Sequence, residues 1–212
     1  MEQIVNTATL TFDLQKPQPL FIVISGLSGV GKDAVIEGLL KRGMPLHKVV
    51  TTTTRAPRST EHEGVDYQFV SHERFQEMIR NNEFIECALV YKDYKGVPRD
   101  QVKNAMDSGL DVIMRVDVQG ARKFRELIPE ALLIFITPAN KQDWREMLLG
   151  RKTDTQDQIE QRIAAAPGEL EMLPIFDYIV TNKYCCLDAT VDSIISIIQS
   201  EHMRNPHRKV NI

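Results

Sequence analysis

The chain has 212 residues, of which 42% are hydrophobic and 26% are charged, so it can bury a full core and fits one large domain. Its formal net charge of −3 argues against a general nucleic-acid or membrane-surface partner, because neither polyanion would attract the chain overall. Its cysteines, Cys87, Cys185 and Cys186, have neither metal-ligand spacing nor the even count of a disulfide framework, which favours a reduced, cytoplasmic protein.

Residues 1–19 are predicted to form an arm ahead of the domain. They lack a basic segment followed by an apolar stretch, so we expect no secretory leader. The arm ends in Lys16-Pro17-Gln18-Pro19, whose prolines interrupt regular structure. The predicted domain covers residues 20–212.

Residues 21–35, FIVISGLSGVGKDAV, predict a phosphate-binding loop between a strand and a helix. The pattern Gly26-x-x-x-x-Gly31-Lys32, here called the P-loop (residues 26–32), lets backbone N–H groups approach a polyphosphate closely. The bland alternative is a glycine-rich turn without a ligand. The predicted ATP-binding residues here are Gly26, Ser28, Gly29, Val30, Gly31, Lys32 and Asp33.

Asp33 stands where a Ser or Thr normally gives its hydroxyl to Mg²⁺. A carboxylate can still bind Mg²⁺ directly or through water. It also adds negative charge beside the phosphates, so affinity for metal-free nucleotide would fall. Asp33 is therefore the candidate Mg²⁺ ligand.

Several strands, a loop and a helix are predicted after the P-loop helix. Ser71 can cap a helix in which Phe75, Met78 and Ile79 share one face. The other predictions are strands over residues 49–54, 65–70 and 84–91, a loop over residues 55–64 and a turn over residues 94–98.

Apolar strands and helical patterns alternate in the second half, which predicts βαβ units and a parallel sheet. The strands are residues 111–118, 132–137 and 178–181. Residues 155–158 resemble a capping box for a helix that Pro167 should kink or end. A closing helix is indicated by the apolar stripe Val191, Ile194, Ile195 and Ile198.

Two further groups of residues suggest chemistry. Asp117 ends an apolar strand, where doubly wound sheets bind ligands, so it is a candidate Mg²⁺-linked or substrate-linked acid. The alternative is that it only caps the next helix. Arg55 and Arg58 lie beside a turn-forming proline and could bind a second phosphate through their guanidinium forks, although arginines on a solvated loop are the ordinary alternative.

The segment TTRAPRSTEHEGVDYQFV (residues 53–70) resembles the monophosphate-binding segment of the guanylate kinase family. NEFIE (82–86), VDVQGA (116–121), IFI (134–136) and RIAAAPGEL (162–170) resemble further motifs of that family. The resemblance runs in order from Phe21 to about Ile198, and such collinearity is more specific than any single motif.

The resemblance implies an α/β fold with a P-loop NTPase core, that is, a parallel sheet flanked by helices. It also implies a mixed-strand GMP-binding insertion and a helical lid. The corresponding ranges are residues 20–50, 99–139 and 171–203 for the core, 51–98 for the GMP-binding region and 140–170 for the lid. The implied reaction is Mg²⁺-assisted transfer of a phosphoryl group from ATP to GMP.

The resemblance also implies roles for individual residues. Glu86 would accept hydrogen bonds from the N1 and N2 donors of guanine, a pair that adenine lacks. Asn182 would lie near the adenine of ATP. The GMP-binding residues would be Thr51, Arg55, Arg58, Tyr67, Glu86, Lys95 and Asp117. The residues implied in catalysis are Lys32, Arg55 and the lid arginines Arg151 and Arg162.

Besides Asp33, four residues depart from the family pattern. Lys95 replaces a tyrosine at the GMP phosphate, and Val97 replaces a Ser or Thr that often contacts the base. Arg115 replaces a common Asp, and Met147 a common lid arginine. Two alternatives therefore stay open, a kinase for another phosphorylated acceptor and a binding module without catalysis. Monomer and homodimer are equally compatible with the sequence.

Overall fold

A computed structural model of the chain describes residues 18–59, 61–90, 92–150 and 156–210. Arg151, Thr155 and most of the predicted N-terminal arm lie outside these residues. The strands are β1 (Phe21–Gly26), β2 (Leu46–Lys48), β3 (Thr51–Thr53), β4 (Tyr67–Phe69), β5 (Phe84–Val90), β6 (Asp93–Pro98), β7 (Asp111–Arg115), β8 (Leu132–Pro138) and β9 (Tyr178–Asn182). The α-helices are α1 (Lys32–Lys41), α2 (His72–Arg80), α3 (Arg99–Asp107), α4 (Val118–Leu127), α5 (Lys141–Leu149), α6 (Gln156–Leu170) and α7 (Leu187–His202).

The larger sheet has the strand order β2-β7-β1-β8-β9, and all its pairs are parallel, as predicted. Because successive side chains on a strand point to opposite faces, β1 supplies both sides of the core. Ile22 and Ile24 belong to a cluster with residues of α1 and α7. Phe21 and Val23 pack with residues of α3 and α4. Because these strands pair in parallel, the carboxyl ends of β1, β7 and β8 lie at one open edge of the sheet.

The smaller sheet has the order β4-β3-β6-β5 and mixes parallel with antiparallel pairs. Helix α2 covers it, and the ring of Phe75 stacks on that of Phe84 with 4.5 Å between centroids. Ser71 caps α2, as predicted, by accepting a hydrogen bond from the Arg74 N–H. This sheet therefore has its own small core.

The turn predicted over residues 94–98 is wrong, because these residues belong to strand β6. Gly96 lies under an aromatic ring, where a Cβ would come within 2.7 Å of the Phe84 side chain. Glycine is therefore required here for close packing of the strand, not for a turn. Strand β6 pairs with both β3 and β5, and these long-range bonds override the local turn signal.

Other predictions need smaller corrections. Helix α6 continues past Pro167 to Leu170, so the proline does not end it, although Pro167 cannot donate to the Ile163 carbonyl. The strand predicted over residues 65–70 begins only at Tyr67, because Val65 lies in a turn with 58% of its surface exposed. Strand β2 and helix α3 were not predicted. Within the described ranges, no helix is long and apolar enough to cross a lipid bilayer.

Candidate active site

A cavity of about 1220 Å³ lies between the open edge of the parallel sheet and the mixed sheet. Its walls come from the P-loop, the mixed sheet, the end of β7 and helix α6. Apart from Asn182, every predicted site residue that the structure describes lines it: Gly26, Ser28, Gly29, Val30, Gly31, Lys32, Asp33, Thr51, Arg55, Arg58, Tyr67, Glu86, Lys95, Asp117 and Arg162. The residues of the two predicted phosphate sites therefore line one cavity.

The P-loop leads directly from β1 into α1. Gly26 must lack a side chain, because a Cβ there would come within 2.1 Å of the Ile136 carbonyl oxygen on β8. Gly31 has φ 89°, a left-handed conformation that only glycine adopts readily. The Lys32 Nζ donates to the carbonyls of Gly26 (2.7 Å) and Leu27 (2.9 Å). The ammonium is thus fixed at the start of a helix, where the dipole also favours anions.

Helices α5 and α6 contact the P-loop at Ser28. The Arg162 guanidinium donates to the Ser28 hydroxyl, and the Trp144 indole N–H donates to the Ser28 carbonyl at 2.9 Å. The Ser28 N–H donates to Glu169 at 3.2 Å. Burial raises the pKa of Glu169, while the Lys32 charge and this N–H act in the opposite direction. No role was predicted for Glu169 or Trp144, although Glu169 lies in one of the family motifs.

Arg55 and Arg58 are both held by Glu61. The Arg55 guanidinium donates to both Glu61 carboxylate oxygens at 2.8 and 2.9 Å, and the Arg58 backbone N–H donates to one of them at 2.8 Å. The Arg55 guanidinium carbon also lies 5.5 Å from the centre of the Tyr67 ring. Burial raises the pKa of Tyr67, so its hydroxyl remains a neutral hydrogen-bond donor near neutral pH. The two arginine side chains are therefore paired and partly buried rather than fully solvated.

Lys95 and Thr51 complete this part of the cavity. Thr51 is buried on β3 and pairs with Tyr67 on β4. Lys95 comes from β6, and burial lowers its pKa, with the charges of Arg55 and Arg58 acting in the same direction and that of Asp117 opposing them. Arg55, Arg58 and Lys95 thus line the same part of the cavity, and guanidinium groups are suited to binding a phosphate.

Glu86 is the buried acid of the mixed sheet, with 7% of its surface exposed. Burial raises its pKa to about 7, the nearby Asp117 charge adds to the shift, and Lys123 opposes it. Gly120 leaves room for the carboxylate, since a Cβ there would lie 3.2 Å from a Glu86 oxygen. The carboxylate is thus a desolvated acceptor on strand β5, suited to a ligand with two adjacent N–H donors.

Asp117 had two alternative interpretations, a Mg²⁺-linked or substrate-linked acid and a helix cap. Its side chain accepts a hydrogen bond from the Gly120 N–H at 2.9 Å and caps α4, so the capping interpretation is confirmed. The same residue lines the cavity. A capping residue can therefore still contribute its charge to the site.

Asp33 and Arg115 form an ion pair that the sequence analysis missed. The Arg115 guanidinium carbon lies 4.6 Å from the centre of the Tyr67 ring. Arg115 is the last residue of β7, and the parallel pairing of β7 with β1 brings this strand end beside the P-loop. The two residues were recognised only as separate departures from the family pattern.

Asn182 lies behind the P-loop rather than in the main cavity. Its amide donates to the Val30 carbonyl at 2.8 Å and accepts from the Thr190 hydroxyl at 2.8 Å. It lines a smaller cavity of about 380 Å³ together with Gly31, Asp33 and Met147. Gly31 and Asp33 line both cavities, so the smaller cavity adjoins the P-loop.

The family model for guanylate kinase matches residues 18–201. The chain belongs to the guanylate kinase family. It is 44% identical to guanylate kinase 2, chloroplastic/mitochondrial, of Oryza sativa subsp. japonica, over 92% of this chain and 69% of that protein. It is 39% identical to a guanylate kinase of Halalkalibacterium halodurans, over 90% of this chain and 93% of that one.

The solved structures give the same result. The crystal structure of guanylate kinase from Anaplasma phagocytophilum matches with a TM-score of 0.73 and 32% identity, covering 89% of each chain. The cavity and its charged residues therefore lie in a guanylate kinase fold.

Proposed function

We propose that this member of the guanylate kinase family transfers the γ-phosphoryl group of ATP to GMP, giving ADP and GDP. The observation that carries the proposal is that one cavity brings together both predicted phosphate sites. One end has the P-loop and Lys32, and the other has Arg55, Arg58 and the buried Glu86.

At the donor end, the backbone N–H groups of the P-loop would bind the ATP phosphates. Lys32 would reach the outer phosphates as a point charge. Asn182, fixed against the Val30 carbonyl, would lie toward the adenine. These residues hold the donor through local backbone geometry.

At the acceptor end, Arg55, Arg58, Tyr67 and Lys95 would bind the GMP phosphate. The Glu86 carboxylate would accept from the guanine N1–H and N2–H groups. Adenine has no such donor pair, so its binding would leave the buried acid unpaired, which is the physical basis of strong discrimination. Thr51 and Asp117 would line the same pocket.

Transfer would be in line and would need no covalent enzyme intermediate. Phosphoryl transfer depends on positioning and on cations that neutralise charge on the equatorial oxygens. Lys32 and Arg162 line the cavity where they can do so, and Arg151 is proposed as a second lid arginine. Closure of the lid over the nucleotides would exclude water as a competing acceptor.

Mg²⁺ would supply charge neutralisation on the transferred phosphates. Protein sites often hold Mg²⁺ through one or two carboxylates together with substrate phosphates, and Asp33, whose side chain is 48% exposed beside Lys32, fits that pattern. Among the described residues, no group of three or more His, Cys, Asp or Glu could hold a metal ion without the nucleotide. Asp33→Ser is expected to keep turnover and shift the Mg²⁺ concentration at half-maximal rate. An unchanged Mg²⁺ profile would exclude Asp33 from the metal ligands.

The boundaries of the core, the GMP-binding region and the lid are also proposals. We propose a core of residues 20–50, 99–139 and 171–203, a GMP-binding region of residues 51–98 and a lid of residues 140–170. A cytoplasmic location and the absence of a nucleic-acid partner also remain predictions. The name of the rice relative refers to chloroplasts and mitochondria, whereas the bacterial relatives carry no such term.

The test is release of ADP from ATP and Mg²⁺ with a panel of acceptors: GMP, dGMP, AMP and UMP. GMP is expected to be the best acceptor, since Glu86 matches its base. Val97 and Lys95 favour a second candidate, a kinase for a different phosphorylated acceptor, and a better acceptor than GMP would establish it. Absence of turnover with saturating GMP would overturn the proposal, and absence of ATP binding would favour a binding module.

A further inference from the structure

The Asp33–Arg115 ion pair connects the two ends of the cavity. Asp33 lies in the first turn of α1, immediately after the P-loop lysine, and Arg115 ends β7. Both residues line the main cavity. The Asp33 side chain is 48% exposed and that of Arg115 is 15% exposed, so the arginine is the more enclosed partner.

The ion pair changes the charge at the donor end of the cavity. A carboxylate next to Lys32 would repel the phosphates of ATP, because charges a few ångströms apart interact strongly in a partly enclosed site. The Arg115 guanidinium cancels this charge by direct contact with the carboxylate. The pair as a whole is therefore neutral toward a polyphosphate.

A second consequence of the ion pair concerns the acceptor end. The Arg115 guanidinium carbon lies 4.6 Å from the centre of the Tyr67 ring, closer than that of Arg55 at 5.5 Å. A planar guanidinium at this distance from a ring is a favourable cation–π contact. Arg115 thus touches the residue that lines the proposed acceptor-phosphate site while it pairs with the donor-side Asp33.

We propose that Arg115 is a positioning residue with two actions: it neutralises Asp33 beside the donor phosphates, and it holds the Tyr67 ring in the wall of the acceptor site. The inference rests on the proposed function, because it takes ATP as the donor and GMP as the acceptor. Arg115 acts through Asp33 and Tyr67 and does not itself bind the transferred phosphoryl group. The acid and the arginine are then one compensated change, not two separate defects.

The donor action is tested by ATP binding in calorimetry with EDTA and without GMP. Arg115→Met leaves Asp33 unneutralised and is expected to weaken ATP binding about tenfold. The double variant Asp33→Ser with Arg115→Met has the same net charge as the original pair and is expected to bind within about threefold of wild type. Arg122→Met removes an equal charge from an exposed pair with Glu126 on α4 and serves as the matched control. A double variant as weak as Arg115→Met alone would mean that Arg115 binds phosphate directly and would overturn the proposal.

Asp33→Ser keeps the experiment informative if Arg115→Met does not fold. Removing the carboxylate leaves the Arg115 charge in place, so metal-free ATP should bind as tightly as to wild type or more tightly. Weaker ATP binding by Asp33→Ser would overturn the neutralising action.

The acceptor action is tested by GMP binding to Arg115→Lys. Lysine keeps the charge that neutralises Asp33 but lacks the planar group over Tyr67. ATP affinity is expected to stay near wild type while GMP affinity falls about threefold, and unchanged GMP affinity would overturn this action. Turnover of GMP by the wild type tests the proposed function separately, so either proposal can fail alone.

Discussion

The donor and acceptor ends of the cavity are built in different ways. The P-loop is one continuous segment in which Lys32 bonds carbonyls five and six residues earlier in the chain. The acceptor end collects Arg55, Tyr67, Glu86 and Lys95, which only the pairing of β3, β4, β5 and β6 brings together. A local motif therefore identifies the donor end, whereas the acceptor end depends on long-range strand pairing.

The two ends also handle charge differently. At the donor end, the unusual carboxylate of Asp33 is balanced by Arg115 from the neighbouring strand β7. At the acceptor end, Arg55, Arg58 and Lys95 line the proposed phosphate site, and Glu86 is buried with a raised pKa. A change of charge can therefore be compensated at the donor end. The acceptor end instead depends on one carboxyl group, Glu86, whose pKa is raised to about 7.

Removal of the P-loop lysine should have the largest effect, because it acts on transferred charge directly. Lys32→Met is expected to lower kcat about 1000-fold, similar to the loss of one strong electrostatic stabiliser of a transition state. Steady-state rates with saturating ATP and GMP measure it. Lys41→Met, at the exposed end of the same helix, is the matched control and should leave kcat unchanged. A loss of kcat below tenfold would contradict a direct action of Lys32 on the transferred phosphoryl group.

Glu86→Gln tests the acceptor end alone. The amide offers one acceptor and one donor, so it pairs poorly with two guanine N–H groups, and each charged hydrogen bond lost costs about 1.5–3 kcal/mol. We expect kcat/KM for GMP to fall about 100-fold, while ATP affinity without GMP stays unchanged. A GMP titration beside wild type measures this loss. Equal GMP affinity would contradict guanine recognition by Glu86.

The pH dependence of GMP binding is a second test of guanine recognition by Glu86. Because burial raises the pKa of Glu86 to about 7, most molecules carry a protonated Glu86 at pH 6 and a carboxylate at pH 8. Only the carboxylate accepts both guanine donors, so GMP should bind about tenfold more weakly at pH 6 than at pH 8. The GMP phosphate also titrates near pH 6, and Glu86→Gln isolates that contribution. Parallel pH profiles for the two proteins would contradict the assignment.

Stability gives an independent check of this pKa. The pKa of Glu86 is about 7 in the folded protein and 4.5 in an unperturbed glutamate, as in the unfolded chain. The folded protein therefore binds this proton more tightly than the unfolded chain. The free energy of unfolding of wild type should therefore fall relative to Glu86→Gln as pH rises from 4.5 to about 7. Urea unfolding at several pH values measures this difference, and a constant difference would exclude the raised pKa.

The same contrast explains what could be predicted from the sequence. The P-loop and the Ser71 cap were predictable because their signals lie within a few residues, and the parallel sheet because apolar strands alternate with helical patterns along the chain. Strand β6 was mistaken for a turn because Gly96 serves packing under Phe84, which only the folded sheet reveals. The resemblance to known guanylate kinases supplied most acceptor residues, since their own spacing carries little information.

The ion pairs could not be predicted at all. Asp33 and Arg115 were recognised one at a time, and only the adjacency of β1 and β7 makes them partners. The Glu61 carboxylate that orders Arg55 and Arg58 was likewise not identified as their partner. Charge partners across strands depend on side-chain geometry, which neither periodicity nor motif spacing contains.

The smallest effect is expected at Val97, which faces Glu86 across the β5–β6 pair. Val97→Thr keeps the shape of the side chain and adds a hydroxyl that could reach the guanine, and one neutral hydrogen bond contributes about 0.5–1.5 kcal/mol. Val97 is only 1% exposed, so burial of the hydroxyl offsets part of this gain. We therefore expect the KM for GMP to fall by about threefold or less, with the KM for ATP unchanged. A KM for GMP that rises instead would show that this wall of the acceptor site is selected for packing, and that Glu86 alone reads the base.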